Sequence, residues 1–140
     1  MGFRITGQFN KLAAFGRKIA TAPRLLGTIS RNLAEESLTL AALGYRAARD
    51  PYGAAWAPRK SGGGRALLVR TGAMRNSAAV LAATATFFTI AYTMAYARFH
   101  QRGTRNMPRR SVLPRGGRLP GKWSAAYGEV YDEIMEDHFR

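Results

Sequence analysis

The sequence predicts an α+β fold: long N-terminal helices, a small antiparallel β-sheet (a hairpin plus a short strand), a short helix and an acidic C-terminal helix. Three observations carry that expectation. Residues 22–49 keep apolar side chains at helical spacing over a long run. Residues 77–92 contain two short runs of strand-forming residues. Residues 123–139 return to helical spacing, now with acidic side chains on the remaining positions. A chain of 140 residues has the length of one domain with a modest core. It divides into an N-terminal arm (1–21), a core (22–121) and a C-terminal helix (122–140).

Taken in order, residues 8–19 place Phe9, Leu12, Phe15 and Ile19 at helical spacing, a short first helix. Thr21 is positioned as an N-cap and Pro23 falls where a first-turn proline is tolerated. The helix over 22–49 then carries a stripe of Leu26, Ile29, Leu33, Leu40, Leu43 and Ala47. Arg24, Arg31, Glu35, Thr39, Arg46 and Arg49 lie largely on its other side. Asp50-Pro51-Tyr52-Gly53 ends it in a turn. Residues 57–66 read as a mobile basic loop whose glycines lack the spacing of a phosphate cradle. Strands follow at 77–83 and 86–92, with Phe88 and Ile90 on one face and Phe87 and Thr89 on the other. The turn between them has no Gly, Pro or Asn. Thr93 is placed to cap a short helix through Gln101, stopped by Gly103. A brief extended piece is expected at 111–113. The last helix, 123–139, sets Trp123, Tyr127, Val130 and Ile134 against Glu129, Asp132, Glu133, Glu136 and Asp137.

Charge narrows the function classes. Residues 51–128 contain 13 Lys and Arg and no Asp or Glu, so they hold nearly all of the formal charge of +14. Carboxylate catalysis has no place in such a segment, which instead attracts nucleic-acid phosphate or an acidic protein surface. Cysteine is absent, and the only histidines, His100 and His138, lie far apart. That argues against thiolate or metal chemistry and against a Ser-His-Asp triad, so catalytic, cofactor and metal residues are assigned to none. His138, beside Asp137 at a helix end, reads as a surface cation. Trp56 and Trp123 read as packing anchors. The candidate contacts to a partner or to DNA are Arg98, Arg102, Arg105, Arg109, Arg110, Arg115 and Arg118. They lack the interleaved aromatics of a single-strand groove.

The 22 uncharged residues 76–97, bounded by Arg75 and Arg98, are long enough to cross a bilayer. Eight are Ala and four Thr, a content that argues against a span.

Four short phrases in order carry a resemblance. They are Pro51-x-Gly53-x-x-Trp56, Leu67-Leu68-x-x-Thr71-Gly72-x-Met74-Arg75-x-Ser77, Tyr96-Ala97-x-x-His100-Gln101-x-Gly103 and Met107-Pro108-x-Arg110-x-Val112. Together, over about residues 33–135, they resemble the phage virion morphogenesis family, the tail completion or neck proteins of tailed bacteriophages. Met74 stands where Leu is usual and Val112 where Phe is common. The resemblance implies a non-enzymatic structural protein that forms a ring, hexameric by the usual symmetry of tails. The ring sits at the head–tail junction of the virion, after a period in the host cytoplasm. Its partners are the head-closure (connector) protein and the tail terminator or tail tube, with packaged DNA passing along the axis and open to phosphate contact. The phrases read as structural: Gly53, Gly72 and Gly103 supply turns, Trp56 packing, Thr71 and Ser77 caps or turn bonds, and Pro108 an anchor. The alternatives are a free basic nucleic-acid-binding protein and a single-span phage membrane protein.

Overall fold

A computed structural model describes residues 17, 20–60, 64 and 67–140. The helix expected over 8–19 lies outside the described residues. Helix α1 (Ala22–Ala47) follows Thr21, which occupies the N-cap position without a side-chain capping bond to the helix, and has Pro23 in its first turn. It ends through Ala48 in the left-handed region (φ 51°), where the amides of Ala48 and Arg49 close onto the carbonyls of Tyr45 and Gly44. At ~1.5 Å per residue it is about 39 Å long.

The buried face of α1 is rotated from the leucine stripe. Ile29, Ser30, Ala34, Ser37, Ala41 and Tyr45 are buried, whereas Leu26 and Leu43 are exposed at 45% and 50%. The reason is steric. A ridge of Ser30, Ala34, Ser37 and Ala41, spaced by four, three and four residues, lets two neighbours approach the α1 backbone closely. The charged positions predicted to face outward do so.

A one-turn helix, α2 (Ala73–Asn76), precedes strands β1 (Ala78–Ala83) and β2 (Phe88–Tyr92), which pair antiparallel. The register runs from Ala78 opposite Tyr92 to Ala83 opposite Phe88, with a bulge at Leu81 between Val80 and Ala82. The second strand starts at Phe88, later than expected, because Thr84 closes the turn. Its amide donates to the Phe87 carbonyl (2.8 Å), and its Oγ1 accepts the amides of Thr86 and Phe87. Phe88 and Ile90 turn inward while Phe87 and Thr89 are exposed, as the alternation predicts.

Helix α3 (Ala97–Arg102) begins later than the sequence suggests. Thr93 does not cap it: its amide and Oγ1 both donate to the Ser77 carbonyl and close the base of the hairpin. Gly103 ends α3 at φ 74°, where a Cβ would meet the Arg109 amide at 3.0 Å.

Helix α4 (Gly121–Phe139) buries Trp123 and half-buries Tyr127, Val130 and Ile134 as expected. It runs back antiparallel to α1. Tyr127 Oη bonds Ser37 Oγ, which itself donates to the Leu33 carbonyl, so the phenol supplies the proton between them. Residues 134–138 reach the first turns of α1. The hairpin also packs on α1, where Tyr92 meets Tyr45 at 6.0 Å, and Phe88 meets Tyr127 edge to face at 6.2 Å.

The expected third strand at 111–113 is absent; among the described residues the sheet has two strands. The amides of Val112 and Leu113 both donate to Gln101 Oε1, and Gln101 Nε2 donates to the Leu113 carbonyl at 2.7 Å. One side-chain amide therefore stands in for a neighbouring strand.

Candidate interaction surface

The main core forms at the C-terminal end of α1, from Tyr45, Trp56, Met74, Ala97 and Val112. Apart from Tyr45, each of these comes from a different one of the four phrases. Trp56 meets Tyr45 edge to face at 5.5 Å, and its indole N–H donates to the Ser111 carbonyl at 2.9 Å. Burying one such aromatic removes roughly 150–250 Å² from water, about 4–6 kcal/mol of gross transfer free energy. This core therefore fixes the positions of the loops around it.

The other anchor positions behave as turn and cap residues. Gly53 adopts φ 94° in the turn after α1, where Asp50 accepts the amides of Tyr52 and Ala54. Thr71 Oγ1 accepts the Ala73 amide, and Gly72 (φ 79°) caps α2. Ser77 Oγ donates to the Met74 carbonyl at 2.7 Å. Pro108 is half-buried and follows the turn closed between Thr104 and Met107.

The seven candidate arginines separate into three groups. Arg98 and Arg102 project from α3 and Arg105 and Arg109 from the turn that follows; all four are exposed. Arg109 Nε donates to the Arg102 carbonyl at 3.3 Å, and the Arg98 guanidinium lies over the Phe99 ring at 4.8 Å. Arg115 and Arg118 are exposed on a loop held by Tyr52, whose hydroxyl lies 2.7 and 2.8 Å from the two arginine carbonyls and accepts the Arg115 amide. Arg110 corrects the sequence reading. It is 8% exposed, with Nε on the Ala57 carbonyl (2.8 Å) and Nη2 on the Pro58 carbonyl (3.0 Å), so it holds the start of the 57–66 loop in place.

His138 is a second correction. It does not project from the surface: it is half-buried where α4 meets the first turns of α1, with Nε2 enclosed. His100 borders a cleft of 560 Å³ with Tyr96, Arg110 and residues 67–74, a lining that contains no carboxylate. Burial, followed by the nearby Arg110 charge, holds the imidazole below its usual range.

A different surface lies between α1 and α4. Glu35 and Glu36 join Glu133, Glu136 and Asp137 along a groove of 650 Å³. No group of three or more His, Asp or Glu among the described residues is placed to hold a metal ion. The uncharged stretch 76–97 folds as the end of α2, the hairpin and the start of α3. No described helix is long and apolar enough to cross a membrane.

Sequence reasoning missed Tyr45, Tyr52 and Gln101. Tyr45 was legible as the position four after Ala41 on the small-residue ridge. Tyr52 and Gln101 act through side-chain bonds to backbone 63 and 11 positions away, and periodicity carries no trace of these. Comparison with known proteins finds no matching family model, no matching curated protein and no matching solved structure.

Proposed function

We propose that this chain is a structural subunit of the neck of a tailed bacteriophage, a tail completion or head–tail joining component that assembles as a ring. The observation that carries the reading is the convergence of the four ordered phrases on one core. Trp56, Met74, Ala97 and Val112, one from each, pack together. The residues that carry the resemblance therefore meet in a single packing unit. The exposed arginines around that unit offer a surface for an acidic neighbour or for DNA phosphate. In this reading the ring stands between the head-closure protein and the tail terminator or tube, and the subunit performs no covalent chemistry.

Immunogold labelling and electron microscopy of purified virions test it. The label should sit at the head–tail junction, and loss of the gene product should leave heads and tails unjoined. Mature particles that lack the protein would remove the reading.

The six exposed arginines of the candidate set also favour a second reading, a free nucleic-acid-binding protein. That reading requires tight DNA binding by the isolated monomer. With all six on phosphates, the log–log salt slope would approach about −5. Weak or salt-insensitive binding excludes it.

A further inference from the structure

Seven of the chain's eight carboxylates are on α1 and α4, and the eighth, Asp50, is engaged by the turn amides after α1. Because α4 runs antiparallel to α1, its acidic C-terminal half lies beside residues 21–39. The outer side of α4 adds Glu129, Asp132 and Tyr131, the last 47% exposed. Arg24 and Arg31 on α1 and Arg140 at the end of α4 oppose seven carboxylates over residues 21–39 and 129–140, which leaves this stretch net negative.

The arginine turn is attached elsewhere. Ala97, at the start of α3, packs with Tyr45 at the far end of α1. From Glu35 to Tyr45 the helix rises about 15 Å, more than the ~10 Å Debye length at 0.1 M salt. The two surfaces are therefore screened from each other within one copy. Each also carries exposed aromatic area beside its charges, Tyr131 on the acidic face and Tyr96 and Phe99 on the basic one.

We propose that the acidic α1–α4 face of one copy docks onto the arginine turn of the next (Arg98, Arg102, Arg105 and Arg109). The contact joins two different patches, so it is head-to-tail and propagates into a ring or an open filament. It rests on the reading of this chain as an assembling subunit and specifies the surfaces that join.

The test uses two full-length variants, Glu133→Arg with Glu136→Arg and Arg102→Glu with Arg105→Glu, all four positions being exposed. Each variant alone should dissociate about tenfold or more readily than the wild type in sedimentation analysis, because like charges then face each other. Mixed in equal amounts, the two should reassemble, since each reversed face meets its complement. Melting curves confirm that both fold.

A variant that assembles alone as the wild type does overturns the proposal, as does failure of the folded variants to reassemble when mixed. So does a wild type that stays monomeric at about 100 µM in low salt, where a ~10 µM contact would be largely formed. Loss of DNA affinity in the arginine variant, with assembly unchanged, assigns that surface to phosphate and also overturns it. The neck reading fails separately: virions lacking the protein remove it even where mixing restores assembly.

Discussion

At the scale of single residues, the buried polar groups decide most of what can be measured. The Tyr45 hydroxyl is enclosed with no hydrogen-bond partner among the described residues, so its burial carries a desolvation cost with no return from them. Tyr45→Phe should be at least as stable as the wild type, by up to ~1 kcal/mol in urea unfolding. Burial raises the phenol pKa of both Tyr45 and Tyr92 above the usual 10.0, that of Tyr92 to about 12. The folded state then holds these protons more tightly than the unfolded chain. These groups leave stability unchanged below pH 10, where both states are protonated, and lower it as pH rises from 10 through about 12. Unfolding midpoints should hold steady up to about pH 10 and fall above it, and Tyr45→Phe should flatten the fall; an unchanged fall would contradict the assignment. Arg110 and Arg109 form a matched pair of opposites. Arg110→Leu leaves two carbonyls without their charged donor and should cost about 2–3 kcal/mol. Arg109→Ala removes one long, exposed bond and should stay within ~0.5 kcal/mol. Urea midpoints of the two variants separate the roles.

At the scale of elements, side chains do the work usually left to backbone ladders. Gln101→Leu strands two amides and a carbonyl of the 112–113 segment and should cost about 2–4 kcal/mol. Faster hydrogen exchange at the amides of Val112 and Leu113 would report the loss directly, and unchanged exchange would refute the role. The elements themselves were largely legible. Length and apolar spacing located α1 and α4, the alternation of Phe88 and Ile90 gave the hairpin its inner face, and Gly103 marked the end of α3. What escaped was contingent on neighbours. The buried side of α1 was set by the smallness of Ser30, Ala34, Ser37 and Ala41, which matters only once α4 and the hairpin are known to press there. A leucine stripe is the stronger signal in isolation, yet Leu26 and Leu43 face outward. The third strand failed for a similar reason, since its amides found Gln101. Among the candidate site residues, the turn glycines, Trp56 and Ser77 could be read from conformational need. Arg110 could not be told from Arg109, because an arginine run does not disclose which member turns inward.

At the scale of the whole molecule, the acid-free middle segment repels itself. It carries 13 basic side chains over residues 51–128, and eight of its described arginines are exposed. Screening that repulsion should stabilise the dilute monomer by about 1 kcal/mol as salt rises through the range where the Debye length falls from ~20 to ~8 Å. Thermal melting of the dilute protein across that range measures it; a flat or falling midpoint would mean that the arginines are already compensated. The main core is built from distant parts of the chain: the Trp56 indole is tied to a carbonyl 55 positions further on. A ribosome adding about 5–20 residues per second needs roughly 3–11 s to cover that interval. Through those seconds the nascent polypeptide holds an indole whose N–H lacks its acceptor and whose core lacks Val112, which makes translation speed downstream of Trp56 a determinant of how much chain escapes aggregation.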